Sequence, residues 1–179
     1  MLRNGWVSFA LYFAVSGVSV AEEKKADPYA RIDLHPDCVK DPVNLVVNCG
    51  FETGDFGGWD LSGDFSNTFV TPDALHSGNF GVLAASRSLA FLAQTLSTNP
   101  EQTYTVSIWL RSQGQPNEFQ LFWDGMLISD MINIGDSIYT QFTWYGLPAS
   151  STTTEVRFGV SNSNLTGFFY VDDVQVDPF

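Results

Sequence analysis

From Val43 to the C-terminus, apolar residues recur at every second position in short runs, and clusters of Gly, Asn, Asp, Ser and Pro separate the runs. A period of two marks a strand that buries one face and shows the other to water. Residues 103–111 carry the clearest example. There Tyr104, Val106, Ile108 and Leu110 share one face, while Thr105, Ser107, Trp109 and Arg111 share the other. Residues 118–123 alternate in the same way and run into Asp124-Gly125, a strong hairpin-turn signal. Further strands are predicted over 44–47, 69–70, 80–84, 89–95, 139–145, 155–161 and 168–176. Pro116, Pro148 and Pro178 fall between or after these runs, where a missing N–H costs no ladder bond. No stretch sustains a helical period. The pattern predicts an all-β fold, an antiparallel β-sandwich of short strands.

The N-terminal part reads differently. Residues 1–21 place Arg3 ahead of the apolar run Trp6 to Val15 and end in the small-residue triplet Ser19-Val20-Ala21. That layout predicts a secretory signal peptide. The alternative is a membrane anchor, but the apolar core is shorter than the roughly 20 residues a bilayer span needs. No Cys follows the triplet, which argues against a lipoprotein. The chain is therefore expected to be secreted, to the periplasm or outside the cell. Residues 22–42 read as a polar arm, with Asp27-Pro28, His35-Pro36 and Asp41-Pro42 as helix-breaking pairs, and residues 43–179 as one domain.

The net charge is −12 at pH 7. Nucleic-acid binding needs a basic footprint, so this balance argues against it. The two cysteines, Cys38 and Cys49, read as a disulfide in an exported chain, the alternative being two free thiols. His35 and His76, the two histidines, have no zinc-ligand spacing.

Catalytic signatures are missing. Most acids, among them Asp55, Asp60, Asp64, Asp73, Asp124 and Asp136, fall in predicted turns. They show no sign of the spaced carboxylate pair a glycoside hydrolase uses. There is no Gly-x-Ser-x-Gly elbow and no phosphate or dinucleotide loop. The chain reads as a binding protein and not an enzyme.

Three segments in order carry a resemblance. The first runs from Asn44 through Asn48-Cys-Gly-Phe-Glu52 to Trp59. The second is His76-Ser-Gly-Asn-Phe80, and the third is Phe169-Tyr-Val-Asp-Asp-Val-Gln-Val176. Together they resemble the galactose-binding-like jelly rolls, in particular CenC-type carbohydrate-binding modules and the related domain of exported bacterial proteins with a sorting signal. Cys49 departs from the family pattern, which has a Gly there. The resemblance implies a jelly roll, a polysaccharide or glycan partner, and a structural Ca2+. By the same resemblance the calcium ligands are Gly50, Glu52 and Asp172, with carbonyls near Asp73 and His76. On this reading Asp172 lies with Tyr170, Val174 and Val176 on an apolar face, and Asp173 faces outward. The alternative is that Glu52 caps a turn and Asp172 accepts backbone N–H groups.

The resemblance also implies one ligand-bearing sheet face. Strand parity assigns to it Trp109, Arg111, Gln120, Phe122, Gln141 and Arg157. An exposed ring there stacks on a sugar, and amide and guanidinium groups reach its hydroxyls. The competing reading packs Trp109 or Phe122 under a loop. Trp59, Trp123 and Trp144 are expected in the core. The alternative function is a structural or adhesive surface protein acting through protein contacts. Asn164-Leu165-Thr166 is a glycosylation sequon.

Overall fold

The computed structural model describes residues 38–135, 138–164 and 166–179. Ten strands form: β1 (Asp60–Gly63), β2 (Thr68–Thr71), β3 (Gly81–Ala84), β4 (Ala90–Ser97), β5 (Thr103–Gln113), β6 (Asn117–Trp123), β7 (Met126–Ile132), β8 (Thr140–Pro148), β9 (Thr153–Asn162) and β10 (Phe168–Pro178). Short 3-10 turns span Cys38–Lys40 and Pro72–Ala74. The strands make two antiparallel five-stranded sheets. The front sheet has the order β1-β4-β9-β6-β7 and the back sheet β2-β3-β10-β5-β8. Their inner faces pack as a sandwich, as the alternation predicts. No helix among the described residues is long and apolar enough to cross a membrane. The predicted signal peptide and most of the arm lie outside the described residues.

Parity holds where it was clearest. Tyr104, Val106, Ile108 and Leu110 are each no more than 2 % exposed and face Phe119, Leu121, Trp123, Val156, Phe158 and Val160 of the front sheet. Trp59 is buried and stacks on Phe51, and Trp123 is fully buried with its indole N–H donating to Pro148 O. Trp144 is only partly buried and lies parallel to Phe119 at the core margin. The Asp124-Gly125 turn closes the β6–β7 hairpin, and both its residues take a positive φ.

Residues 44–47 do not form the expected strand. Side chains take the segment's backbone groups instead. Gln94 accepts from Val47 N–H and donates to Val47 O, while Asn44 Oδ1 accepts from the N–H groups of Val46 and Val176. A buried amide that satisfies backbone groups replaces a ladder at no cost in unpaired donors.

A disulfide joins Cys38 to Cys49, eleven positions apart. It ties the end of the arm to the opening loop of the domain. Closing so short a loop stabilises by about 2–3 kcal/mol in the chain-entropy account. Replacing both cysteines by Ala is expected to lower the free energy of unfolding by about that amount in urea titrations, with the fold retained by circular dichroism.

Candidate functional site

Two clusters of polar and aromatic side chains stand out, one on each outer face. The back-sheet cluster grows from an irregularity in β10. The register against β5 shifts between Asp172 and Gln175, and Asp173 adopts φ 47°. Such a bulge adds a residue and reverses the parity beyond it. Phe169 and Val171 before it, and Val174 and Val176 after it, all face the core. Tyr170 and Asp172 are thereby left on the outer side, opposite Arg111 and Trp109 of β5. The expected common face for Asp172, Val174 and Val176 is thus wrong. Asp173 does not face water either, because it is only 3 % exposed.

Both carboxylates are buried by the loop that follows β2. Asp172 Oδ2 accepts the N–H groups of His76 and Ser77 at 2.7 and 3.1 Å, and Oδ1 accepts Asp173 N–H at 2.8 Å. Asp173 pairs with His76 Nδ1 at 2.7 Å and accepts from Ser77 Oγ and Cys38 N–H. Three backbone N–H bonds favour the charged form of Asp172. Burial and the adjacent Asp173 charge outweigh them and push its carboxyl up to about 8. Farther along the loop, Glu52 accepts from the N–H groups of Asn79 and Phe80 and from the Asn79 amide. Gly78 is required here. Its φ is +65°, and a Cβ would lie 2.4 Å from Glu52 Oε1.

The same loop lays His76 flat on Trp109, with ring centroids 3.9 Å apart. Tyr139 meets the edge of His76 and donates its hydroxyl to Ala74 O. Burial and the Asp172 charge push the Tyr139 hydroxyl well up, which keeps it a neutral donor. Arg111 stacks over Tyr170 at 3.7 Å. Gln141 pairs with Trp109 across the ladder and reaches Ser107 Oγ. Trp109, Arg111 and Gln141 therefore sit together, each partly exposed, with His76 of the loop laid over the Trp109 ring.

Gln120, Phe122 and Arg157 lie elsewhere, on the outer face of the front sheet. The six residues expected on one face are split three and three between opposite sides of the sandwich. Parity told which residues point away from the core. It could not tell that the 114–116 connection carries the chain from the back sheet to the front.

On the front face, Phe122 sits opposite Arg157, and Gln120 sits opposite Gly159, which in turn faces Phe91. The Arg157 guanidinium packs 4.4 Å from the Phe122 centroid and 5.4 Å from that of Phe91. The two rings meet edge to face at 6.1 Å. A Cβ on Gly159 would come within 2.5 Å of the Phe91 ring, so the glycine lets that ring lie across the sheet. Phe91, Gln120, Phe122 and Arg157 are all partly exposed. Beyond Gln120, Glu118 and Ser161 lead into a depression of about 270 Å3, bounded by Pro116 and Asn133. The sequence reading missed Phe91. Its position in a predicted strand opposite a glycine on the outer parity was the available signal.

In this arrangement the residues implied as calcium ligands make hydrogen bonds of their own. Both oxygens of Glu52 and both of Asp172 already accept N–H groups. His76 offers Asp172 its N–H, and Asp73 is exposed in the 3-10 turn, its own N–H bonded to Thr71. Gly50 does pack against both aspartates. Among the described residues no three His, Cys, Asp or Glu side chains converge to hold a metal.

The profile of a family described as Carbohydrate binding domain matches residues 43–172. No curated protein sequence matches. Among solved structures, the chain resembles TmCBM61 in complex with beta-1,4-galactotriose, with TM-score 0.67, 18 % identity, and coverage of 76 % of this chain and 99 % of that one. It also resembles the CBM22-1 xylan-binding domain of Paenibacillus barcinonensis Xyn10C, with TM-score 0.52, 10 % identity, and coverage of 72 % and 90 %. A third match is the K3 cleaved adhesin domain of Lys-gingipain from Porphyromonas gingivalis, with TM-score 0.57, 16 % identity, and coverage of 74 % and 98 %. Identities this low show a shared fold.

The buried carboxylates predict a pH dependence. Asp172 ionises at 3.8 unfolded and at about 8 in the fold, so between those values the folded state holds an extra proton. Stability therefore falls as pH rises through that window and levels off above it. Asp177, pushed up to about 6 by burial and by Asp41, has the same sign over a narrower range. Melts at about pH 6.5 and 8 bracket the upper part of the Asp172 window. The wild type is expected to melt lower at the higher pH, and Asp172→Asn to remove most of the difference. With the implied calcium bound, EDTA lowers the melting temperature and added calcium restores it. A melting temperature that calcium raises would show that the 76–80 loop can turn away and free the carboxylates.

Proposed function

The chain belongs to the Carbohydrate binding domain family, and from that premise we propose that it is a secreted, non-catalytic module binding neutral polysaccharide on the outer face of the front sheet. One observation carries the choice of face. Phe91 lies across Gly159 and meets Phe122 edge to face on the front sheet, whereas His76 covers Trp109 on the back sheet. Sugar rings stack their C–H faces on such rings, and polar groups beside them fix orientation. Arg157 Nε is screened from water and has no hydrogen-bond partner among the described residues. A ligand hydroxyl that drew the side chain outward would satisfy it.

Charge selects the ligand class. Glu118 and Glu155 point from the same face as Arg157, Asp130 flanks it opposite Gln120, and Glu155 lies 3.7 Å from the Arg157 guanidinium. One carboxylate beside the guanidinium and two more along the same sheet disfavour a polyuronate and leave a neutral chain as the better partner. Nor do these acids resemble a hydrolytic pair. Asp130 is exposed and Glu118 partly exposed, without the apolar burial that keeps a catalytic acid protonated. Secretion is supported by the disulfide, which suits an oxidising compartment.

Affinity electrophoresis through gels of β-1,4-galactan, xylan and mixed-linkage glucan tests the reading. The folded protein is expected to be retarded by at least one of these neutral polymers. Phe122→Ala should weaken that retention at least about tenfold, as loss of a stacking platform implies. Trp109→Phe, which keeps the His76 stack, should leave it alone. Retention that survives Phe122→Ala, or none on any of the three gels, would set the proposal aside.

A further inference from the structure

The back sheet holds a second concave feature, lined by other residues than the Trp109 cluster. On its outer face Phe69 of β2 lies opposite Leu83 of β3, which lies opposite Tyr170 of β10. At the end of this row a depression of about 260 Å3 opens between Phe69, Leu83 and Phe168, with Asn67, Arg87 and Asn164 around it. Its volume is slightly below the usual range for small-molecule sites, so it suits one sugar ring and not a chain segment.

Three features of the depression point to a ligand. Phe69 is 54 % exposed and stacks on no other ring among the described residues. A large aromatic left in water beside a hollow is a free platform. Arg87 differs from the other described arginines. Arg111 and Arg157 are stacked on aromatic faces, while Arg87 is exposed and pairs with neither a ring nor a carboxylate among the described residues. Asp64, the acid in the neighbouring turn, spends one carboxylate oxygen on Ser66 N–H and Oγ. The wall is rigid, since Asn164 donates to Gln115 O and accepts from Thr166.

We infer that this depression is a second sugar site, and that it takes a single acidic pyranose, a hexuronate residue. The ring lies on Phe69, the carboxylate meets the Arg87 guanidinium, and Asn67 reaches a hydroxyl. Guanidinium and carboxylate match as a two-point hydrogen-bonded pair. The two sites would have opposite preferences: the front face is ringed by carboxylates, and this hollow offers an uncompensated cation. They sit on opposite outer faces of a sandwich whose sheets pack about 10 Å apart, so no single groove joins them. The inference does not depend on the front-face reading.

Calorimetric titration with trigalacturonate, using protein made in a non-glycosylating host so that Asn164 is bare, tests it. The wild type is expected to bind. Arg87→Ala and Phe69→Ala should each weaken binding at least about tenfold. Phe122→Ala should bind as the wild type does, and Lys40→Ala should also bind normally. A folded wild type that ignores trigalacturonate at millimolar concentration overturns the inference. So does binding that Phe122→Ala abolishes, which would place the uronate on the front face. Equal losses from Lys40→Ala and Arg87→Ala would reduce the effect to nonspecific charge and overturn it too.

Discussion

Two adjacent carboxylates in the middle of a central strand organise this sandwich. Asp172 and Asp173 sit at the bulge of β10, which pairs with β3 on one side and β5 on the other. Neither could stay buried without partners, because an uncompensated buried charge is among the costliest features a fold can carry. The partners come from distant parts of the chain: His76 and Ser77 from the loop after β2, and Cys38 from the N-terminal segment. Satisfying the pair thus draws three separated segments to one point. The Cys38–Cys49 bridge and the contacts of Gln94 and Asn44 hold the same end of the domain covalently and through backbone bonds.

That closure decides which face is left for a ligand. The loop that caps the aspartates brings His76 onto Trp109 and Ala74 under Tyr139. What would have been the best sugar platform becomes part of the packing. Among the described residues no ring is stacked over the front-sheet pair of Phe91 and Phe122 as His76 is over Trp109. There a glycine in β9 makes room for Phe91, and the guanidinium of Arg157 braces two rings in place. The family membership says that carbohydrate is the ligand class. The packing of one loop supports the front sheet as the surface that presents it.

Much of the fold was legible because a two-residue period survives in any half-buried strand. The 103–111 segment showed its core face directly, and the hairpin at Asp124-Gly125 was plain from turn chemistry. β7 escaped notice because Met126, Leu127 and Ile132 are exposed on an edge strand whose register shifts, so its alternation is blurred. The site was less legible for two physical reasons. Alternation fixes inside against outside but not one sheet against the other, which is why Trp109 and Phe122 were grouped and then found apart. A bulge also shifts the parity of everything after it, and nothing in Val171-Asp-Asp-Val174 announces one. The alternative weighed for Glu52 and Asp172, that they accept backbone N–H groups, matches the hydrogen bonds they make.

On our proposal the front sheet binds the ligand, and the back-sheet cluster around Trp109 serves the fold. An NMR titration with β-1,4-galactotriose, or with whichever neutral trimer the gels favour, tests it residue by residue. The account predicts the largest shifts at Phe91, Gln120, Phe122, Arg157 and Gly159, with the Trp109 indole and His76 resonances unmoved. Saturable shifts centred on Trp109, His76 and Tyr139, with the front sheet silent, would contradict it.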